Sequence, residues 1–183
     1  MAYCASLTRH YQDFWSNRGH SFTWPTGPRW ELPEDFTVLR FSPSPKRSAW
    51  TYATVCMSQE HDEARLELHL FSPVEAAEHV ELLTAIAHYH RTGATLGVGH
   101  TVNFGRPWLP GSLCTHGLIS LPYLDGPELE VLKLNGITVR FLWLIPVTKR
   151  EVEFKKERGL VALEAEFEKV EFDYLNPHRR SVI

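Results

Sequence analysis

A chain of 183 residues with 43% apolar and 22% charged side chains has room for one domain with a substantial core and little for a second. Nineteen Lys and Arg against 22 Asp and Glu leave a net charge of −3, and no basic run reads as a phosphate-binding patch, so nucleic-acid partners are excluded. No segment approaches the ~20 apolar residues that span a bilayer, and the first residues lack the apolar core of a signal peptide.

Three cysteines, Cys4, Cys56 and Cys114, are an odd number without framework spacing. That pattern predicts reduced thiols and a cytoplasmic protein. Acidic residues cluster from Glu60 to Glu81, where Arg65 is the only basic residue. A basic partner could be steered there, although a solvated acidic face is the plainer explanation.

Residues Tyr3 to Asn17 carry Leu7, Tyr11, Phe14 and Trp15 near helical spacing, with Gly19 as a stop, which predicts an amphipathic opening helix. Ser21 to Arg29 reads as a loop whose neighbouring aromatics, Trp24 and Trp30, must dock on the core. Strands are expected over Phe36–Phe41, Trp50–Met57 and Arg65–Phe71, the last with Leu66, Leu68 and Leu70 on one face and Glu67 and His69 on the other. Ser72-Pro73-Val74-Glu75 has the form of a capping box with Pro at the first helical position, predicting a helix to about Tyr89 closed by Gly93.

Gly93 to Pro127 is dense in Gly, Pro and aromatic residues and reads as a shaped loop, with a short strand at Leu118–Leu121 and a turn at Asp125-Gly126-Pro127. Glu128–Leu134 and Ile137–Leu144 flank Asn135-Gly136, a two-residue hairpin signal, and ITVRFLWLI is apolar enough for a central strand buried on both faces. Thr148 and Glu151 form a second capping box opening a charged helix to Gly159, and Leu160, Leu163, Phe167 and Val170 mark a last helix. The sum is an α+β domain: a mixed, largely antiparallel sheet packed by three or four helices.

The chemistry-bearing candidates gather in the Gly/Pro-rich stretch. Cys114-x-His116 with His100 could form a metal site or a Cys/His hydrolase, but zinc-type spacings, an oxyanion-hole motif and a GxSxG elbow are absent. Gly97-x-Gly99 lacks the third glycine of a dinucleotide fingerprint. His88 and His90, two apart on one helix, point to different faces and are explained by the helix C-terminus. No cofactor and no metal are expected. Asn103, Arg106, Trp108 and Tyr123 are the aromatic and Arg types that anchor protein interfaces, and His100 and Asp125 flank them, so these six are the candidate partner-binding residues. For Trp108 and Tyr123 a plain core-capping role is an equal alternative.

Several segments in order, HTVNFGRPW (100–108), LISLPYLDGP (118–127), FLWLIPVTKRE (141–151), WTYATVCMS (50–58), ELHLFSP (67–73) and the tail from Gly159 to Ile183, resemble the suppressor-of-fused domain family. The resemblance covers residues 30–183, leaving 1–29 as an added helix and loop. It implies a non-enzymatic protein-binding domain. The family's animal namesake sequesters a transcription factor by gripping an extended peptide between this domain and a second one. Here the chain ends at Ile183, which implies that the second jaw is missing, and Gly99 stands where animal members carry an aspartate before the His-Val pair. Stand-alone members of this size resemble a bacterial branch associated with immunity proteins, which implies a cognate toxin as partner. A regulatory adaptor for an extended peptide, and the hydrolase centred on Cys114, remain the alternatives.

Overall fold

The computed structural model describes residues 2–183, apart from the side chains of Pro28 and Trp30, so the expected docking of Trp30 lies outside the described residues. In chain order the elements are α1 (Ala2–Trp15), β1 (His20–Phe22), a 3-10 turn (Pro28–Glu31), β2 (Thr37–Phe41), β3 (Trp50–Val55), β4 (Leu66–Ser72), α2 (Glu78–Thr92), β5 (Thr101–Asn103), β6 (Cys114–Ser120), α3 (Pro127–Glu130), β7 (Val131–Leu134), β8 (Ile137–Thr148), α4 (Lys149–Arg158) and α5 (Leu160–Lys169).

The eight strands form one mixed sheet in the order β1-β2-β3-β4-β8-β6-β5, with β7 paired to the first half of β8. Among these pairings only β4–β8 is parallel. β8 is the central strand that its unbroken apolar run predicts: Phe141 to Val147 are buried throughout. Its alternation divides the core. Leu142 and Leu144 face α2, while Phe141, Trp143, Ile145 and Val147 face α1, α4 and α5.

The hairpin at Asn135-Gly136 forms as expected, with both residues at positive φ (44° and 85°), the backbone that a type I′ turn demands. The Thr148/Glu151 capping box forms too: the Thr148 hydroxyl accepts from the Glu151 N–H, and the Glu151 carboxylate accepts from the Thr148 N–H at 2.7 Å.

The capping box expected at Ser72 does not form. Ser72 ends β4, and its hydroxyl is committed to the Val74 carbonyl (2.8 Å) and to His79 Nε2 (3.0 Å). Glu75 pairs with Arg40, and the Ala76 N–H donates to the Tyr52 hydroxyl, so helix α2 begins only at Glu78. Tertiary partners have taken each group that a local cap would use. Two short strands, β1 and β5, fall in segments that read as loops, and Glu128–Glu130 is helical rather than extended.

The expected reduced thiols are corrected as well. Cys4 on α1 and Cys56 just after β3 form a disulfide, leaving Cys114 as the free cysteine among the described residues. The 52-residue separation carries no local spacing signal, and only the packing of α1 across β3 brings the two together. Among the described residues no helix is long and apolar enough to cross a membrane.

Beside the disulfide lies a buried carboxylate. The strict alternation of β4 does not put Glu67 and His69 in water, because α1 covers that face and both are fully buried. Glu67 accepts from the Thr54 hydroxyl (2.6 Å), from the Met57 and Ser58 N–H groups and from the Ser58 hydroxyl (3.2 Å each). Burial raises its carboxyl to about 7, and the four donors offset that only in part. The folded protein therefore binds more protons than the unfolded chain between about 4.5 and 7. Stability from this group is fully present below the unfolded value and is lost as pH rises through 7, on the order of 3 kcal/mol in all. Denaturant unfolding between pH 5 and 8 should show that decline, and Glu67→Gln should flatten it whatever its effect on absolute stability.

Candidate functional site: a groove beside the terminal strand

β5 ends the sheet. It pairs with β6 through Thr101↔Leu118, Val102↔Gly117 and Asn103↔His116, and among the described residues no strand pairs with its other side. A strand edge of this kind carries backbone donors and acceptors able to receive an extended peptide. Next to it runs a groove of about 310 Å³, walled by Leu82, Ala85, Ile86 and Tyr89 of α2 and floored by Thr101 to Phe104. Tyr89 is 47% exposed at its lip. The amphipathic spacing of α2 explains the wall: Val80, Leu83 and Ala87 are buried in the core, while Ala85 and Tyr89 point outward along the next ridge.

The loop after β5 is shaped from within. The Asn103 carboxamide oxygen accepts from the Gly105 N–H (2.8 Å), the Phe104 N–H donates to the Thr115 carbonyl and the Trp108 N–H to that of Cys114. Gly117 is required opposite this loop, since a Cβ there would stand 2.5 Å from Leu144 and 2.7 Å from Phe104. Arg106 crosses to Glu81 on α2, linking the loop to the groove wall. A second hollow of about 400 Å³ continues beyond that ion pair, between Val74 to Glu78 and Arg106 to Pro110. Glu75, Glu78 and Glu81 lie at this end of the face, within the acidic stretch noted in the sequence, but Glu75 pairs with Arg40 and Glu81 with Arg106, so two of the three charges are already met.

The six candidate residues separate. His100, Asn103 and Arg106 are exposed and lie along β5 and its loop. His100 holds the loop through its backbone, the N–H donating to Gly97 and the carbonyl accepting from Ile119, rather than through its ring. Trp108 is buried beneath them, stacked on His79 and donating its indole N–H to the Ser112 hydroxyl (3.0 Å). Tyr123 is 60% exposed but belongs to the opposite face of the sheet, where its hydroxyl donates to Glu164 (3.3 Å). Asp125 is a structural carboxylate, receiving the Trp15 indole N–H (3.1 Å) and pairing with Arg47. Burial raises its pKa, with Arg47 and Trp15 opposing. His69 stands 3.8 Å away but is pushed down to about 3 by burial and by Arg47, so it is neutral and the contact is not an ion pair. The groove residues Leu82, Ala85, Ile86 and Tyr89 escape sequence reasoning, because an apolar helix face reads as core until the strand beside it is known.

The hydrolase arrangement does not assemble. Cys114 is buried, burial raises its thiol pKa, and neither His100 nor His116 is hydrogen-bonded to it. A register shift separates Cys114 from His116 on β6, so the two do not share the regular alternation of one strand face. Among the described residues no group of three His, Cys, Asp or Glu side chains is placed to hold a metal ion.

Fold and groove thus define an α+β domain with an open strand edge beside an apolar groove. The family model for Suppressor of fused protein (SUFU) matches residues 33–180, and the chain belongs to that family. A crystal structure assigned to a SUFU homolog from Neisseria gonorrhoeae is 34% identical, with a TM-score of 0.88 covering 100% of this chain and 98% of that one. The Sufu–Fu complex structure gives a TM-score of 0.70 at 17% identity, covering 98% and 92%. Drosophila Suppressor of Fused gives 0.69 at 17% identity over 96% of this chain, which spans half the length of that protein. No curated protein sequence matches the chain.

Proposed function

We propose that this domain binds a partner protein by receiving an extended segment against β5, with alternate side chains of that segment set into the α2 groove. The observation that carries the reading is the conjunction of an unpaired sheet edge with an apolar trough of about 310 Å³ directly beside it. Either feature alone is common; together they supply backbone hydrogen bonds for affinity and a pocket for selectivity. The similar Sufu fold is itself found in complex with Fu.

More specifically, we read the chain as a non-enzymatic immunity protein that occludes a cognate bacterial toxin. Its support is the match along nearly the full length of a bacterial homolog, together with a buried, unactivated Cys114. A regulatory adaptor would use the same groove on a different partner. The test is to co-purify the protein with the product of a neighbouring toxin-like gene and to assay that toxin in a molar excess of this chain. Loss of toxin activity supports immunity; full retained activity sinks it and leaves the adaptor reading.

A further inference from the structure

The face of the sheet away from α2 carries a second hollow, built around Trp143 of β8. The Trp143 indole is wedged between Phe71 (5.6 Å between centroids) and Tyr174 (5.2 Å, edge-on) and is 4% exposed. Its Nε1–H nevertheless has no acceptor among the described residues. A buried donor left unpaired costs about 1–3 kcal/mol. Nε1 itself is closed off from solvent, and through its other atoms Trp143 lines a cavity of about 300 Å³ whose apolar walls also include Leu118, Ile145, Phe167 and Phe172. A cavity of about 150 Å³ already holds a benzene ring, so there is room here for an aromatic side chain.

The rim has one sign of charge. Glu164 and Glu168 of α5 line it, and among the described residues no Lys or Arg does. Glu164 already accepts from the Ser120 hydroxyl (3.4 Å) and the Tyr123 hydroxyl (3.3 Å). Burial raises the Tyr123 pKa, and Glu164 and Glu168 raise it further. Val161, 80% exposed, lies on the same helical ridge as Glu164 and Glu168.

We infer that this cup docks a partner polypeptide that inserts one aromatic side chain against Trp143 and sets an adjacent Lys or Arg against Glu164 and Glu168. Two features converge on that occupant: an apolar cavity with room for an aromatic side chain, and an acidic rim with no Lys or Arg lining it among the described residues. The site lies across the sheet from the β5 groove, so neither depends on the other.

The probe is acetyl-Phe-Lys-amide, followed through the six indole N–H signals of the ¹⁵N-labelled protein, with Trp143→Phe identifying the Trp143 signal. Saturable movement of that signal is expected with acetyl-Phe-Lys-amide, and affinity about tenfold lower with acetyl-Phe-Glu-amide. The double substitution Glu164→Gln, Glu168→Gln should erase the difference between the two probes. An unmoved Trp143 signal at millimolar probe, or equal affinity for the Lys and Glu probes in the wild-type protein, overturns the proposal.

Discussion

Replacing Arg179 by methionine should lower folding stability by about 3–5 kcal/mol, the cost of stranding a buried charge. Arg179 is 8% exposed and Glu151 fully buried. The guanidinium meets both carboxylate oxygens, at 2.7 and 2.9 Å, and donates to the Pro146 carbonyl at 2.9 Å. Glu151 also accepts from the N–H groups of Thr148 and Val182. One carboxylate therefore caps α4, holds the C-terminal segment and neutralises Arg179. Burial works to raise its pKa, but Arg179 and the two N–H donors outweigh it and hold the group below the usual carboxylate range. Its folded value being depressed, its contribution is present above the unfolded value and is lost as pH falls through the folded one. Chemical denaturation of Arg179→Met at pH 7 checks the magnitude. A Glu151→Gln, Arg179→Met double variant should recover part of the loss, because it removes the stranded charge.

Serine at Cys56 should have a comparable effect. Closing a loop of 52 residues restrains the unfolded chain by about 4 kcal/mol in the chain-entropy account. Cys56 sits at positive φ (63°) in the turn that presents the Met57 and Ser58 N–H groups to Glu67, so freeing it also loosens that turn. Tm should fall by several degrees, with α1 the first element to lose amide protection. The pairing itself is checked by alkylation under denaturing conditions: one reactive thiol per chain before reduction, three after.

Much of the fold is legible in the sequence where local and tertiary demands agree. The β8 run, the Asn135-Gly136 turn and the Thr148/Glu151 cap are set by residues within a few positions of one another, and all three stand where they are expected. The Ser72 cap fails because Arg40, Tyr52 and His79, brought in by tertiary packing, compete for the same groups. The disulfide is invisible for a similar reason: its partners meet only through the packing of α1. The candidate site is legible by region rather than by residue. The Gly93–Pro127 stretch does supply β5 and its loop, bringing Asn103 to the groove and Arg106 to the hollow beyond it, while His100 lines neither. Its most prominent aromatic, Trp108, is core, and Tyr123 and Asp125 serve the other face. The groove wall comes from α2, whose exposed ridge has no signature until β5 lies beside it.

Tyr89 offers a mild probe of that wall. Half-exposed at the lip of the groove, it can be cut to Ala with little cost to the fold, yet an aromatic anchor at an interface is worth about 2 kcal/mol or more. Tyr89→Ala should weaken partner binding by about thirtyfold, while Leu113→Ala, also well exposed but outside the groove, should leave it unchanged.

Hydrogen exchange of the protein alone and in complex with its co-purified partner bears most directly on the binding face. The β5 reading predicts slowed exchange across Thr101–Phe104 together with new protection along α2 from Leu82 to Tyr89. Unchanged exchange in both segments, with protection gained on another surface of the bound protein, would contradict it.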